Sequence, residues 1–211
     1  GEYTALCAAG VFSFETGLRL VKLRGEAMQE AAQVGKQRMV SVVGLEEDVL
    51  KGLCAKAGGV CQIANALFPK GYSCAGTEEA VLKLKTLAEG AGALQAKVLK
   101  TSGAFHTELM APAQERLKAA LDAALPSMKP PRCTVYMNVT GEAVPKDTDP
   151  KVIVELLSKQ LVNPVLWSAI VGKMIAEGVG EFFECGPQKQ IKAMMRRTDQ
   201  AAWQKTTSME V

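Results

Sequence analysis

The chain has 211 residues, 48% of them apolar, enough to bury the core of one domain or of one domain with an inserted subdomain. Its 25 basic and 22 acidic side chains are interspersed and leave a net charge of +3, which excludes the basic footprint of a nucleic-acid binder. No apolar run reaches the roughly 18 residues that span a bilayer, and six cysteines without C-x-x-C spacing, beside a single histidine, speak for free thiols in a reducing compartment and against a zinc site.

Residues 3–9 read as a short helix stopped by Gly10. Ser13 then caps a longer helix with Glu15 in its first turn, whose apolar stripe is predicted to run Phe14, Leu18, Val21, Gly25, Met28 and Ala32. Arg24 falls on that stripe. A guanidinium there either snorkels or joins a surface ion pair, or it serves as a fork-shaped receptor for a carboxylate.

The rhythm changes over residues 36–101. Residues 38–43 are β-rich, 45–57 helical, and 60–66 and 72–76 read as strands joined by the turn Pro69-Lys70-Gly71. Thr77 caps a helix that opens with Glu78 and Glu79, and a strand follows at 94–99. The order βαββαβ is that of a ferredoxin-like unit, which by itself carries no function.

Longer α/β units return afterwards. A helix is predicted over 108–125, a strand over 133–138 and a helix over 151–160. Asn163 is read as the cap of another helix with Pro164 at its first position. A strand at 181–185 and a helix from 188 close the pattern, and residues beyond Asp199 are expected to fray. The fold class is therefore α/β, with a large subdomain at 1–35 and 102–200 that cannot complete its own sheet. The inserted ferredoxin-like subdomain occupies 36–101, and a tail occupies 201–211.

His106 lies between the last strand of the small unit and the next helix. A lone histidine is most often a surface residue or a satisfied polar contact. At a junction between subdomains it is also a candidate general base for an oxygen or sulfur nucleophile. Gln160, at a helix end, is either an exposed polar residue or one whose backbone carbonyl orients another group.

Five ordered segments carry a resemblance. They are Gly1-Glu2-Tyr3-Thr4-Ala5-Leu6, Arg24-Gly25-Glu26-Ala27-Met28-Gln29, Gly103-Ala104-Phe105-His106 with Leu109-Met110, Gln160-Leu161-Val162-Asn163-Pro164-Val165 with Trp167, and Glu184-Cys185-Gly186-Pro187. In that order they resemble motifs of the malonyl-CoA:acyl carrier protein transacylases. The resemblance implies a partial α/β-hydrolase-like large subdomain with a ferredoxin-like (βαββαβ) insert. It also implies transfer of malonyl from coenzyme A to the phosphopantetheine thiol of acyl carrier protein through a seryl ester, supplying fatty acid synthesis. The serine belongs to a Gly-His-Ser-x-Gly turn whose last glycine would be Gly1, so it is expected two residues before Gly1 and is absent from these residues. The 211 residues alone are accordingly expected to be inactive.

By the same resemblance His106 is the general base, held by the backbone carbonyl of Gln160, and Arg24 pairs with the free malonyl carboxylate. Met28, Phe105 and Asn65 fall at substrate-binding positions. No cofactor or metal is implied beyond the two substrates, and the expected partner of this monomer is acyl carrier protein, with neither nucleic acid nor membrane. The loop Asn65-Ala66-Leu67-Phe68-Pro69-Lys70-Gly71 keeps only the first asparagine and the proline of the bacterial pattern. That departure points to a plastid stroma, with a mitochondrial matrix or bacterial cytoplasm as alternatives. Competing readings are the acyltransferase domain of a polyketide synthase, an inactive relative that only binds acyl carrier protein, and an RNA-binding ferredoxin-like module. The last is disfavoured by the lack of sheet aromatics beyond Phe68 and Tyr72.

Overall fold

The computed structural model describes residues 1–210. Helix α1 (Glu2–Ala8) leads into α2 (Phe14–Ala31), which starts where the Ser13 hydroxyl accepts from the Thr16 amide at 3.1 Å. The predicted stripe of α2 is not its buried face. Phe14, Leu18 and Val21 are 76%, 57% and 44% exposed and line a groove with Tyr3 and Cys7, whereas Gly17, Leu20, Ala27 and Ala31 are buried. The helix carries two apolar rows. The row with the smaller side chains packs inward because it lets α2 approach its neighbours closely: a Cβ on Gly17 would meet the Phe12 ring at 3.0 Å.

The small unit comprises β1 (Gln37–Val43), α3 (Glu47–Ala57), β2 (Cys61–Phe68), β3 (Gly71–Thr77), α4 (Glu78–Gly90) and β4 (Gln95–Val98). Its strands pair antiparallel in the order β2-β3-β1-β4, as a ferredoxin-like topology requires. Strand alternation assigns the two faces. Val40 and Val42 join Leu50, Cys74, Val81 and Leu84 beneath the helices, while Met39, Ala64 and Ala75 meet Ala104, Phe105 and Leu109 on the other side.

The large body resumes with a 3-10 turn at Glu108–Met110 and α5 (Ala111–Ala124), rather than the single helix expected over 108–125. Pro112 sits in the first turn of α5, where its missing N–H costs nothing. The strand expected over 133–138 shrinks to β5 (Val135–Tyr136), paired with β6 (Ala143–Val144). Helix α6 (Pro150–Lys159) follows. Asn163 does not cap the next helix, because α7 starts only at Trp167 and runs to Ala176. The Asn163 side chain instead donates back to the Lys159 carbonyl at 2.9 Å, closing α6. This frees residues around Val165 to run extended beside β2: the Ala66 amide donates to Val165 O and the Val165 amide to Ala64 O, both at 2.9 Å. The large core gathers Leu6, Leu20, Met110, Leu117, Leu121, Met137, Ile153, Leu157 and Leu161.

The C-terminal stretch does not fray. After β7 (Phe182–Cys185) and α8 (Gln190–Thr198), Asp199 caps a short α9 (Gln200–Gln204) by accepting from the Ala202 amide at 2.7 Å. Strand β8 (Thr206–Met209) then pairs parallel to β7. The last residue of the expected tail, 211, lies outside the described residues. Polar composition hid these elements, because β8 takes its order from pairing rather than from an apolar face of its own.

Glu184 on β7 ties this end together. Its carboxylate accepts from the Ile191 and Lys192 amides at 2.7 and 3.0 Å and from the Ser208 hydroxyl at 3.1 Å. Burial alone would raise its pKa, but these donors outweigh burial and hold the carboxyl below its ordinary value. Glu184→Ala is expected to cost about 2 kcal/mol in urea unfolding, since it orphans charge-assisted bonds at the start of α8. Because the folded pKa is depressed, that contribution is complete above the unfolded carboxylate value and is lost as pH falls through the folded one. Equal urea midpoints for parent and variant at neutral pH would contradict this. No helix among the described residues is long and apolar enough to cross a membrane.

Candidate active site

His106 occupies the turn between the two parts of the molecule, with φ at +62°, in the left-handed region that few side chains adopt. Its neighbours force that turn. Gly103 packs so tightly that a Cβ would stand 2.8 Å from that of Ala32 and 3.0 Å from the Phe105 ring. The Thr107 hydroxyl donates to Ala104 O at 2.6 Å and accepts from the Leu109 amide at 3.3 Å. Gln62 on β2 donates to the His106 carbonyl at 3.2 Å. The buried Gln37 side chain accepts from the Ala104 amide and donates to the carbonyls of Ala31 and Val34. It thereby joins both connections between the subdomains, a part that sequence pattern alone did not assign to it.

His106 Nδ1 lies 2.9 Å from Gln160 O. A carbonyl oxygen only accepts, so Nδ1 carries the proton and Nε2 keeps its lone pair. Burial pushes the imidazole pKa below 6.5. The Gln160 carbonyl opposes that shift and the nearby Arg24 charge adds to it. The result is a half-buried neutral base with a defined tautomer. Among the described residues no hydroxyl or thiol hydrogen-bonds to Nε2.

Gln160 is buried and serves twice. Its backbone carbonyl holds His106, and its side-chain Oε1 accepts from Arg24 Nε at 3.0 Å. Arg24, half-buried, lies 6.0 Å from the centroid of the Tyr3 ring. Among the described residues it forms no ion pair, and its two terminal nitrogens make no hydrogen bond. Burial lowers its pKa, opposed by Tyr3 and Glu2. The Tyr3 hydroxyl is buried and has no hydrogen-bond partner among the described residues.

Glu2, which the sequence marks only as an acid in a first helical turn, is buried at 7% exposure. Its carboxylate accepts from the Gln160 side-chain amide and, at 2.7 Å, from the Asn138 amide. Only the contact across 158 residues reveals this link, and no local signal carries it.

The structure thus brings His106, Gln160 and Arg24 together. Phe105 bridges the large core and the contact layer under the sheet, and Met28 packs against the large core. Asn65 is not joined to this network through its side chain, whose amide donates to the Ser73 hydroxyl at 2.5 Å within the sheet. No cluster of three or more His, Cys, Asp or Glu that could hold a metal occurs among the described residues.

The chain matches the family model for the acyl transferase domain over residues 1–209. A malonyl CoA-acyl carrier protein transacylase of Bacillus subtilis is 37% identical over 202 residues, covering 94% of this chain and 62% of that protein. A mitochondrial malonyl-CoA-acyl carrier protein transacylase of Homo sapiens is 35% identical over 225 residues, covering 100% of this chain and 56% of its own length. Among solved structures, the transacylase of Coxiella burnetii superposes with a TM-score of 0.92 at 33% identity, covering 99% of this chain and 64% of that one. A malonyl-transacylase solved in complex with its type II polyketide-synthase acyl carrier protein gives 0.90 at 31% identity, covering 100% and 66%. The chain therefore spans less than two thirds of the length of each of these relatives.

Proposed function

The chain belongs to the acyl transferase domain family, and from that premise we propose that it carries the base and the carboxylate receptor for moving malonyl from coenzyme A to the phosphopantetheine thiol of acyl carrier protein. The observation that supports this most is the double use of Gln160, which sets a neutral imidazole and an unpaired guanidinium on either side of one residue. A base beside a fixed cation suits an acyl group that itself ends in a carboxylate.

In this reading a serine outside the 211 residues is the nucleophile. Its hydroxyl proton passes to His106 Nε2 as the oxygen attacks the thioester carbonyl. The C–S bond then breaks and the same proton goes to the coenzyme A sulfur, leaving malonyl as a seryl ester. In the second half-reaction His106 takes the proton of the carrier thiol, the sulfur attacks the ester carbonyl, the C–O bond to serine breaks, and the proton returns to the serine oxygen. Arg24 offers its two terminal nitrogens to the free carboxylate throughout. Phe105 and Met28 supply apolar surface beside the acyl group, and Asn65 supports the small-subdomain wall through Ser73. No cofactor takes part, and the protein acts as a monomer. The product supplies fatty acid synthesis. For the compartment we retain the plastid stroma, supported by the departure of residues 65–71 from the bacterial loop.

The test is malonyl transfer from labelled malonyl-CoA to acyl carrier protein. It compares the 211 residues alone with the same residues joined behind the N-terminal part of the Bacillus subtilis relative, which supplies the Gly-His-Ser turn. The joined protein is expected to form a malonyl ester and pass it on, and the 211 residues alone to form none. A malonyl ester on the 211 residues alone, or a folded joined protein that binds acyl carrier protein but transfers nothing, overturns the proposal.

A further inference from the structure

We infer that Glu2 is a positioning residue for the carboxylate receptor: it fixes the Gln160 side-chain amide so that Oε1 faces Arg24, leaving both terminal guanidinium nitrogens free for a substrate carboxylate. The inference rests on the reading of Arg24 as that receptor.

The two ends of a glutamine amide are alike in shape, so only their partners decide which faces where. Arg24 has donors alone and can use only Oε1. The opposite end, Nε2, donates to Glu2, whose other oxygen is itself pinned by the Asn138 amide at 2.7 Å. The order runs from the Asn138 backbone through Glu2 and Gln160 to Arg24 Nε at 3.0 Å, every donor matched to an acceptor. If the glutamine flipped, it would set NH2 against the guanidinium N–H and leave the carboxylate facing a carbonyl. Either contact is unfavourable in a buried site.

The spacing has a second consequence. A carboxylate bonded directly to Arg24 would occupy its fork and quench its charge. With a neutral amide between them, Glu2 orients the guanidinium and leaves it able to bind an anion. Burial pushes the Glu2 carboxyl up, and the Asn138 and Gln160 donors work against that. The fold thus keeps a costly buried acid where, among the described residues, its one side-chain hydrogen bond is to the residue that holds Arg24.

The sign of one measurement separates positioning from plain charge. Malonate is titrated calorimetrically into the parent chain and into Arg24→Ala, Glu2→Gln, Glu2→Asp, Gln160→Leu and the Glu2→Gln/Gln160→Leu double variant. If Glu2 acted only as a nearby negative charge, removing that charge would tighten malonate binding. As a positioning residue, Glu2→Gln weakens it about tenfold, the worth of one charge-assisted bond. Glu2→Asp recovers part of the loss. Gln160→Leu, which keeps the backbone carbonyl for His106, weakens malonate to a similar extent, and Glu2→Gln adds nothing in that background. Should Glu2→Gln fail to fold, Gln160→Leu carries the test. Unchanged or tighter binding in a folded Glu2→Gln chain, an additive double variant, or unchanged binding in Gln160→Leu overturns the inference and leaves Arg24 in place. Malonate that fails to bind the parent, or binds Arg24→Ala equally well, overturns the Arg24 reading and the inference with it.

Discussion

In the joined, serine-bearing protein, His106→Ala is expected to lower malonyl transfer by about a thousandfold, the middle of the range for a positioned general base. The expectation follows from the tautomer. With Nδ1 held by Gln160 O at 2.9 Å, Nε2 is the one lone pair available to take a proton, and alanine leaves nothing in its place. The pH profile is the second half of the result. Burial holds the imidazole below its ordinary 6.5, so the parent keeps its neutral base through neutral pH and loses activity only as pH falls through that lower value. The acid limb disappears in His106→Ala. Stability carries the same sign: the unfolded chain takes up a proton near 6.5 that the folded ring refuses, so the fold weakens between that pH and the folded pKa. A variant retaining more than about a tenth of the rate, or the same acid limb, contradicts the assignment.

Arg24→Ala is expected to reduce kcat/KM for malonyl-CoA by two to three orders of magnitude, roughly 3–4 kcal/mol for a carboxylate left without its partner in a half-buried site. Acetyl-CoA lacks that carboxylate and should change little, so the ratio of the two rates measures the receptor directly. Arg24→Lys should restore only part of the ratio, because a point charge on a flexible stem cannot offer two parallel donors. Rates for malonyl-CoA and acetyl-CoA that fall together would show Arg24 acting on the fold rather than on the acyl group.

The βαββαβ order of the small unit was readable from the apolar stripes of its two helices and from the turn at Lys70-Gly71 before β3, whereas Thr77, the last residue of β3, precedes α4 without a side-chain cap bond. Motifs single out His106, Gln160 and Arg24, and the structure places them in contact through Gln160, whose backbone the resemblance assigns to His106 but whose side chain it leaves unassigned. Its side chain meets Arg24 across 136 residues, a contact set by tertiary packing and invisible to spacing. The face of α2 was misread for a related reason. Periodicity ranks a row by the size of its apolar residues, while packing chose the row with Gly17, Ala27 and Ala31. Asn163 had the chemistry of a cap for either neighbouring helix, and local sequence could not say that it would close the earlier one.

The junction between the subdomains also bears on how the two can move. Two backbone hydrogen bonds join β2 to the strand-like segment at Val165, Gln62 holds the His106 carbonyl, and the Arg197 guanidinium sits 4.6 Å from the Phe68 ring centre. A hinge requires a few residues free to change φ and ψ, and here the crossing points are bonded on both sides. Rotating one subdomain against the other about this junction therefore breaks backbone hydrogen bonds rather than only turning free dihedrals.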